Sequence, residues 1–329
     1  MMKRQIGNTG LYVNSVGLGC MGLSHAYGSA VPMEEGIEFL KQSFKEGYNF
    51  FDTAEVYVGK TKNGTASNNE EMIGEAIKSF RNDVVLASKF GITIDGTALI
   101  PDSSPQAIRK SLEGSLERLN IDCLDLYYQH RIDPKTEPET VAEEMQNLID
   151  EGLIKAWGIS EANEEYLRRA NDVCPVSAIQ NRYSMLARWH ENLFQVCEEL
   201  NVSFVAFSPM ANGFLTGAYN QNSTFEETDY RTNLPQYSQK GFESAASLIE
   251  LLADIADEKN TTPAQISLAW MLSKKDYIIP IPGTTSIKNM KSNFKASEVK
   301  LSENIVKEID ELLDNIDVPV FGGHQVTGQ

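Results

Sequence analysis

The chain has 329 residues, 41% hydrophobic and 23% charged, a composition that excludes disordered and fibrous proteins and provides for a large core. Asp+Glu 46 against Lys+Arg 29 gives a formal charge of -17, the wrong sign for a surface that neutralises nucleic-acid phosphates or docks on an anionic membrane. The start, MMKRQIGNTG, lacks the apolar centre of a signal peptide, no apolar run approaches about 18 residues, and Cys20, Cys123, Cys174 and Cys197 form no C-x-x-C pair, so a reducing cytoplasm is expected.

Residues 4 to 14 read as a hairpin turned at Asn8-Thr9-Gly10, followed by a first strand at Val16 to Gly19. A helix carrying Ile37, Leu40 and Phe44 stops at Gly47. Phe50-Phe51 is the second strand; Met72, Ile73, Ala76, Ile77 and Phe80 mark the next helix. Val84 to Ser88 is the third strand, and Ser104 and Pro105 open a helix with Ile108, Leu112, Ser115, Leu116 and Leu119 inward. Strand four is Leu124 to Tyr128, helix 139 to 151 ends at Gly152, and strand five is Ala156 to Ile159. A helix with Tyr166, Leu167 and Ala170 precedes strand six, Ala178-Ile179; helix 191 to 200 leads into strand seven, Ser203 to Phe207; Tyr277 to Ile281 is strand eight.

Eight continuous apolar strands, each followed by a helix, describe a parallel sheet covered on its faces, and eight such units close into a (β/α)8 barrel of the TIM type. A doubly wound open sheet is the alternative, since periodicity does not show closure. The barrel is expected to carry an N-terminal β-hairpin and extra helices after strands seven and eight. Those after strand seven are 242 to 258 and 263 to 273, beyond an irregular stretch from Asn220 to Lys240. After strand eight come Ile287 to Ala296, a helix opened by Ser302-Glu303, and a tail from Val318 to Gln329. With no linker and no longer internal repeat, residues 1–329 read as one domain.

Gly17, Gly19 and Gly22 match G-x-G-x-x-G after a strand. The dinucleotide mechanism needs a helix starting at the third glycine, whereas Leu23 to Pro32 is a Gly/Ser/Ala/Pro loop, so the motif reads as a glycine-rich barrel loop. The four histidines, His25, His130, His190 and His324, have no H-E-x-x-H spacing, and no metal site is expected.

Strands two, three and four end in Phe51-Asp52, Ser88-Lys89 and Gln129-His130, which delivers Asp52, Lys89 and His130 to the barrel face where active sites are built, with Tyr57 in the loop after Asp52. A tyrosine hydroxyl, with an ordinary pKa near about 10, is a poor acid at neutral pH unless a cation such as Lys89 favours its phenolate. Asp52 can keep that lysine charged, and His130 can donate a hydrogen bond to a carbonyl oxygen. These four residues together could protonate a carbonyl.

The stretches FFDTAEVY (50–57), ASKFG (87–91) and LYYQHRIDP (126–134), with GIS (158–160), IQN (179–181), FSPMANGFLTG (207–217) and PIPGTTSIKNMKSNF (280–294), resemble the signatures of the aldo-keto reductase superfamily over nearly the whole chain. The resemblance implies a tetrad of Asp52, Tyr57, Lys89 and His130, with Tyr57 as general acid in the NADPH-dependent reduction of an aldehyde or ketone. It implies that Ser160 and Gln180 meet the nicotinamide carboxamide and that Phe207 stacks on the ring. Ser208, Pro209, Met210 and Asn212 would approach the pyrophosphate, and Gly283, Thr284, Thr285 and Asn293 the adenosine end. Cys20, Met21, Asp52, Ser286 and Asn289 complete the implied cofactor set.

The sequence departs from the family pattern in three places. Glu161 stands where Asn is frequent, a Ser-Glu-Ala variant familiar in one bacterial branch, and Phe207 replaces a tyrosine. Ser286 and Asn289 occupy positions that commonly carry Lys or Arg for a 2′-phosphate, which leaves Lys288 and Lys291 nearby. NADP(H) is therefore favoured and NAD(H) possible. Two other functions fit parts of the pattern. A non-catalytic nucleotide sensor resembling potassium-channel β subunits would typically lack the histidine of strand four, which His130 retains. A Schiff-base aldolase would need Lys89 neutral, which Asp52 opposes. The partner is a small carbonyl compound; its identity and the oligomeric state are not legible.

Overall fold

A computed structural model describes residues 3–95 and 98–321. Eight strands form one sheet: β1 (Leu18–Gly19), β2 (Phe50–Asp52), β3 (Val85–Phe90), β4 (Leu126–Gln129), β5 (Trp157–Ser160), β6 (Ala178–Arg182), β7 (Ser203–Phe207) and β8 (Ile278–Pro280). Each pairs in parallel with the next in chain order. The seam is closed by backbone bonds from Gly17 N to Pro280 O (3.0 Å) and Gly19 N to Pro282 O (3.3 Å), so the sheet is a barrel and not an open layer. Only glycine fits at this seam, because a Cβ on Gly19 would stand 2.7 Å from the Ile281 carbonyl oxygen.

The helices of the repeating units are α1 (Met33–Glu46), α2 (Asn69–Ile77), α3 (Pro105–Leu119), α4 (Pro138–Asp150), α5 (Glu164–Val173) and α6 (Phe194–Leu200). β7 and β8 are each followed by two helices, one more than a plain unit has: α7 (Gln239–Glu258) and α8 (Pro263–Lys274) before β8, and α9 (Ile287–Lys295) and α10 (Glu303–Asn315) after it. The predicted stops and caps are in place. Gly47 closes α1 at φ 119°, a left-handed geometry glycine adopts without a Cβ clash, and the Ser104 hydroxyl accepts from Ala107 N ahead of Pro105.

Alternation along the strands makes two cores. Phe50, Val85, Leu126, Ala178, Val205 and Ile279 fill the barrel, while Phe51, Leu86, Tyr127, Ile179 and Phe204 face the helices. The hairpin, with strands Lys3–Gln5 and Tyr12–Asn14, plugs the N-terminal end of the barrel with Ile6 and Val13 and bonds Gly7 N to Ser203 Oγ. That end of the barrel is thereby covered, and the opposite end is the one left open for chemistry.

Two short antiparallel ribbons were not predicted. Val58–Lys60 pairs with Ala66–Asn68, and Ile92–Asp95 with Ala98–Pro101, both at the mouth. The first ribbon is polar and contains Gly59, and the second, Ile-Thr-Ile-Asp against Ala-Leu-Ile-Pro, is too short for the apolar runs that reveal barrel strands. The stretch 220 to 240 holds two 3-10 turns, Tyr230–Asn233 and Pro235–Tyr237, and α7 starts at Gln239, earlier than its apolar periodicity indicates. Most of the predicted C-terminal tail, 322–329, lies outside the described residues.

Candidate active site

Asp52 ends β2, Lys89 lies in β3, and His130 directly follows β4, so three neighbouring strands bring these side chains together at the open end. All three are buried, as is Tyr57. The Lys89 ammonium donates to Asp52 Oδ1 at 2.5 Å and to the Thr53 carbonyl at 2.7 Å, and lies 3.4 Å from the Tyr57 hydroxyl oxygen. The second Asp52 oxygen, Oδ2, accepts from Gln180 Nε2 at 2.8 Å. His130 meets the Tyr57 ring edge-on, with centroids 5.9 Å apart. The predicted tetrad is thus assembled around one point.

Tyr57 sits in a loop that Asn69 fastens. Asn69 donates to Cys20 O (2.9 Å) and Ser24 Oγ (2.8 Å), accepts from Thr53 Oγ1 (2.7 Å), and gives its backbone N–H to the Tyr57 carbonyl (3.0 Å). Ser24 Oγ donates to the same carbonyl at 2.9 Å. On the outer side, the His25 ring stacks on Tyr57 with centroids 5.8 Å apart and planes 20° from parallel. A carbonyl can only accept, so His25 Nδ1 carries the proton in its 3.1 Å bond to Val58 O. Neither Asn69 nor His25 was legible as part of the site, since the fastening runs between a loop and the start of α2.

Burial works against charge on Lys89, but Asp52 and the Tyr57 hydroxyl outweigh it and raise the ammonium above the ordinary lysine range. A lysine held charged is the opposite of a Schiff-base nucleophile, which disfavours the aldolase function. Burial also raises the Tyr57 phenol above its ordinary value; Lys89 pulls it down, with a smaller pull from Arg131, and Asp52 pushes it up. The expectation that Lys89 makes Tyr57 more acidic therefore holds in sign, and burial outweighs it. Burial, reinforced by the positive charges of Arg131 and Lys89, holds His130 neutral, well below the ordinary histidine range. Its Nδ1 is buried without a partner among the described residues, so the neutral ring is assigned the tautomer with its proton on Nε2.

The implied cofactor residues divide into those at the mouth and those engaged elsewhere. Ser160 Oγ donates to the Gln180 carbonyl at 2.9 Å, which sets the two side by side at the ends of β5 and β6. Phe207 is half-buried at the end of β7, and Ser208 (φ 51°), Ala211 (48°), Asn212 (61°) and Gly213 (95°) follow it in left-handed backbone. Backbone of this kind gathers peptide N–H groups into anion-holding concavities, which fits a pyrophosphate. Pro209 and Met210 are buried within this turn, and the Asn212 amide reaches Tyr27 Oη (3.0 Å), Ser208 Oγ (3.2 Å) and Tyr230 Oη. Through those tyrosines, and a bridge between Tyr27 and Asp229, residues 218 to 240 are strapped across the mouth to the loop after β1. Arg231 clamps the strap, paired to Asp229 and set 4.4 Å from the Phe225 ring centroid.

Gly283, Thr284 and Thr285 follow β8, and Asn293 is buried on α9. Thr285 borders a cavity of about 420 Å³ whose other wall carries Glu34, Glu35 and Glu38 of α1. Two implied residues have their side chains engaged elsewhere. The Cys20 thiol turns into the helix-facing core toward Leu18 O, and its backbone groups are bonded to Asp52 and Asn69. Ser286 uses its hydroxyl to cap α9 at Asn289 N. Lys288 and Asn289 are exposed, Lys291 is 3.7 Å from Glu46, and Met21 is half-buried in a 3-10 turn. The G-x-G-x-x-G stretch leads into that turn and a loop, with α1 starting only at Met33, as the barrel-loop reading expected.

The sequence model described as the aldo/keto reductase family matches residues 15–314. Among curated proteins, the chain is 38% identical to the aldo-keto reductase yakc, NADP(+), of Schizosaccharomyces pombe, over 96% of this chain and 92% of that protein. It is 35% identical to probable aldo-keto reductase 1 of Glycine max, over 98% and 92%. Among solved structures it superposes on a glycerol dehydrogenase from Gluconobacter oxydans with a TM-score of 0.84 at 25% identity, covering 98% of this chain and 99% of that one. An aldo-keto reductase from Bacillus halodurans in its holo form gives 0.76 at 26% identity, covering 98% and 99%.

Proposed function

The chain belongs to the aldo/keto reductase family and is an NAD(P)H-dependent oxidoreductase, and on that premise we propose that Tyr57 is its general acid, Lys89 and Asp52 the pair that positions Tyr57, and His130 the carbonyl-orienting donor. The observation that carries this reading is the Lys89 ammonium held between Asp52 and the Tyr57 hydroxyl in a buried site. NADP(H) is the favoured cofactor. It would lie against Phe207, Ser160 and Gln180, with its phosphates near Ser208 to Asn212 and its adenosine end near Thr284, Thr285 and Asn293. When bound it supplies a hydride for the carbonyl carbon.

The chain's own residues supply the rest. Neutral His130 donates from Nε2 to the carbonyl oxygen and orients the substrate. Tyr57 passes its hydroxyl proton to that oxygen as negative charge develops there, and Lys89 stabilises the resulting phenolate. Asp52 keeps Lys89 charged and is itself satisfied on both oxygens. Residues 1–329 act as one catalytic unit in the cytoplasm, on a small carbonyl compound. Loss of NADPH absorbance across a panel of aldehydes and ketones tests the proposal. Turnover on the panel is expected; NADPH binding without turnover of any member would favour the sensor.

A further inference from the structure

The strand alternation that aims Gln180 at Asp52 aims Arg182 the same way, one layer nearer the mouth, roughly 7 Å further along β6. Its guanidinium lies over the Phe207 ring at 5.0 Å from the centroid, and the Phe321 ring covers it at 5.3 Å. With flat faces against rings, the fork has its edge left for hydrogen bonding. That edge is under-used: Nε is buried without a partner among the described residues, and Nη1 has only a 3.4 Å contact to Asn212 Oδ1. The residue itself is 6% exposed.

Arg131, directly after His130, is its cationic neighbour. Its Nη1 donates to the His130 carbonyl (2.6 Å) and sits 3.3 Å from Ser160 Oγ, with no carboxylate in salt-bridge range among the described residues. The contrast with the rest of the molecule is informative. Seven of the other eight arginines, Arg81, Arg109, Arg118, Arg168, Arg169, Arg188 and Arg231, pair with carboxylates, as an excess of acidic groups makes easy; the eighth, Arg4, is buried in the hairpin and gives Nη2 to Leu272 O. The nearest acid at the mouth, Glu161, is held by the Arg182 backbone N–H at 3.1 Å and not by its guanidinium. Lys89 is balanced by Asp52, so Arg131, Arg182 and Glu161 leave one positive charge over.

We propose that the carbonyl substrate carries a carboxylate, and that Arg182, with Arg131 beside it, is the residue that reads it. A guanidinium edge is the protein group that matches a carboxylate two bonds at a time, and burial between two rings strengthens such a pair. The inference rests on the reductase function proposed above and names its substrate class. Arg131 follows β4 on the His130 side of the mouth, and Arg182 on β6 also reaches Asn212 Oδ1 in the left-handed turn suited to phosphates that follows β7. The cofactor titration below therefore separates a substrate anion from the cofactor's phosphates.

The test compares 4-carboxybenzaldehyde with 4-formylbenzamide, and 4-oxobutanoate with 4-oxobutanamide, each acid against a neutral counterpart of similar shape. Wild type is expected to prefer the acid of at least one pair by about 10- to 100-fold in kcat/KM, the range of one charged hydrogen-bonded contact. Arg182→Met is expected to erase that preference mainly through KM, and Arg131→Gln to reduce it. NADPH affinity, read by fluorescence titration, is expected to move less than about threefold in Arg182→Met. Equal use of acid and amide in both pairs overturns the inference while leaving the reductase function standing. So does a preference that survives Arg182→Met, and a large loss of NADPH affinity assigns the guanidinium to the cofactor. Reduction of neither member of either pair, with a general aldehyde panel also inert, overturns the function itself.

Discussion

Gln180 Nε2 donates to Asp52 Oδ2 at 2.8 Å, joining the end of β6 to the end of β2 across the barrel mouth. Removing that donor in Gln180→Met leaves a buried carboxylate oxygen unpaired. The expected cost is about 1–3 kcal/mol of stability. Urea unfolding of wild type and variant measures it; an unchanged midpoint would mean that Asp52 needs only Lys89.

Tyr57→Phe keeps the ring that stacks on His25 and loses only the hydroxyl. Carbonyl reduction is expected to fall by about 10²- to 10⁴-fold, the usual worth of a positioned acid, with NADPH binding nearly unchanged. Lys89→Met is expected to fall similarly and also to leave Asp52 without its cation. Steady-state kinetics beside a cofactor titration decide the matter, and turnover by Tyr57→Phe at the wild-type rate would remove Tyr57 from the mechanism.

His130 and His190 are both held below the ordinary histidine value, first of all by burial. The unfolded chain therefore binds more protons than the folded one below about pH 6.5, so these groups stabilise the fold above that pH and lose the contribution as pH falls. His130→Asn is expected to flatten the dependence of the urea midpoint between pH 6.5 and 5, while reduction slows by roughly 10²- to 10³-fold through loss of the oxyanion donor. An unaltered pH slope would show that His130 titrates normally. The same neutrality predicts that wild-type kcat/KM shows no acid limb from His130 near pH 6.5, since the ring is already in its donating form.

The adenosine end sets the choice between cofactors. Lys288 is the one cation of the implied 2′-phosphate set not drawn to a carboxylate among the described residues, and Glu34, Glu35 and Glu38 border the adjoining cavity. NADPH is expected to bind more tightly than NADH by a modest margin. Asn289→Arg should widen it by about tenfold, worth about 1.4 kcal/mol, by adding charge-assisted bonds, and Lys288→Ala should narrow it. Titration of both cofactors at fixed ionic strength checks the order, and equal or tighter NADH binding in the wild type reverses it.

The barrel was legible because its strands are buried on both faces and read as unbroken apolar runs, as at Val84 to Ser88, and because Gly47 and Ser104 mark helix ends by local chemistry. Asp52, Lys89 and His130 were legible because strand ends of a barrel share one rim. Arg182 was within reach of the same logic, two residues past Gln180 on an alternating strand, but strand six was read as ending at Ile179. The ribbon 58–60/66–68 left no apolar signature, the apolar residues of 92–95/98–101 make runs too short to stand out, and the fastening of Tyr57 by Asn69 depends on a fold that places α2 beside the loop after β1.

The bonds from Gly17 and Gly19 to Pro280 and Pro282 join the first strand of the barrel to the last. During synthesis β1 leaves the ribosome with almost the whole chain still to come, and its partner edge does not exist until residue 282 has emerged. Through that interval β1 and β7 are open strand edges, each able to pair with a second nascent chain. A truncation before β8 would make the interval permanent, so stop-codon variants in the 240 to 275 region should accumulate as aggregates and not as partly active monomers.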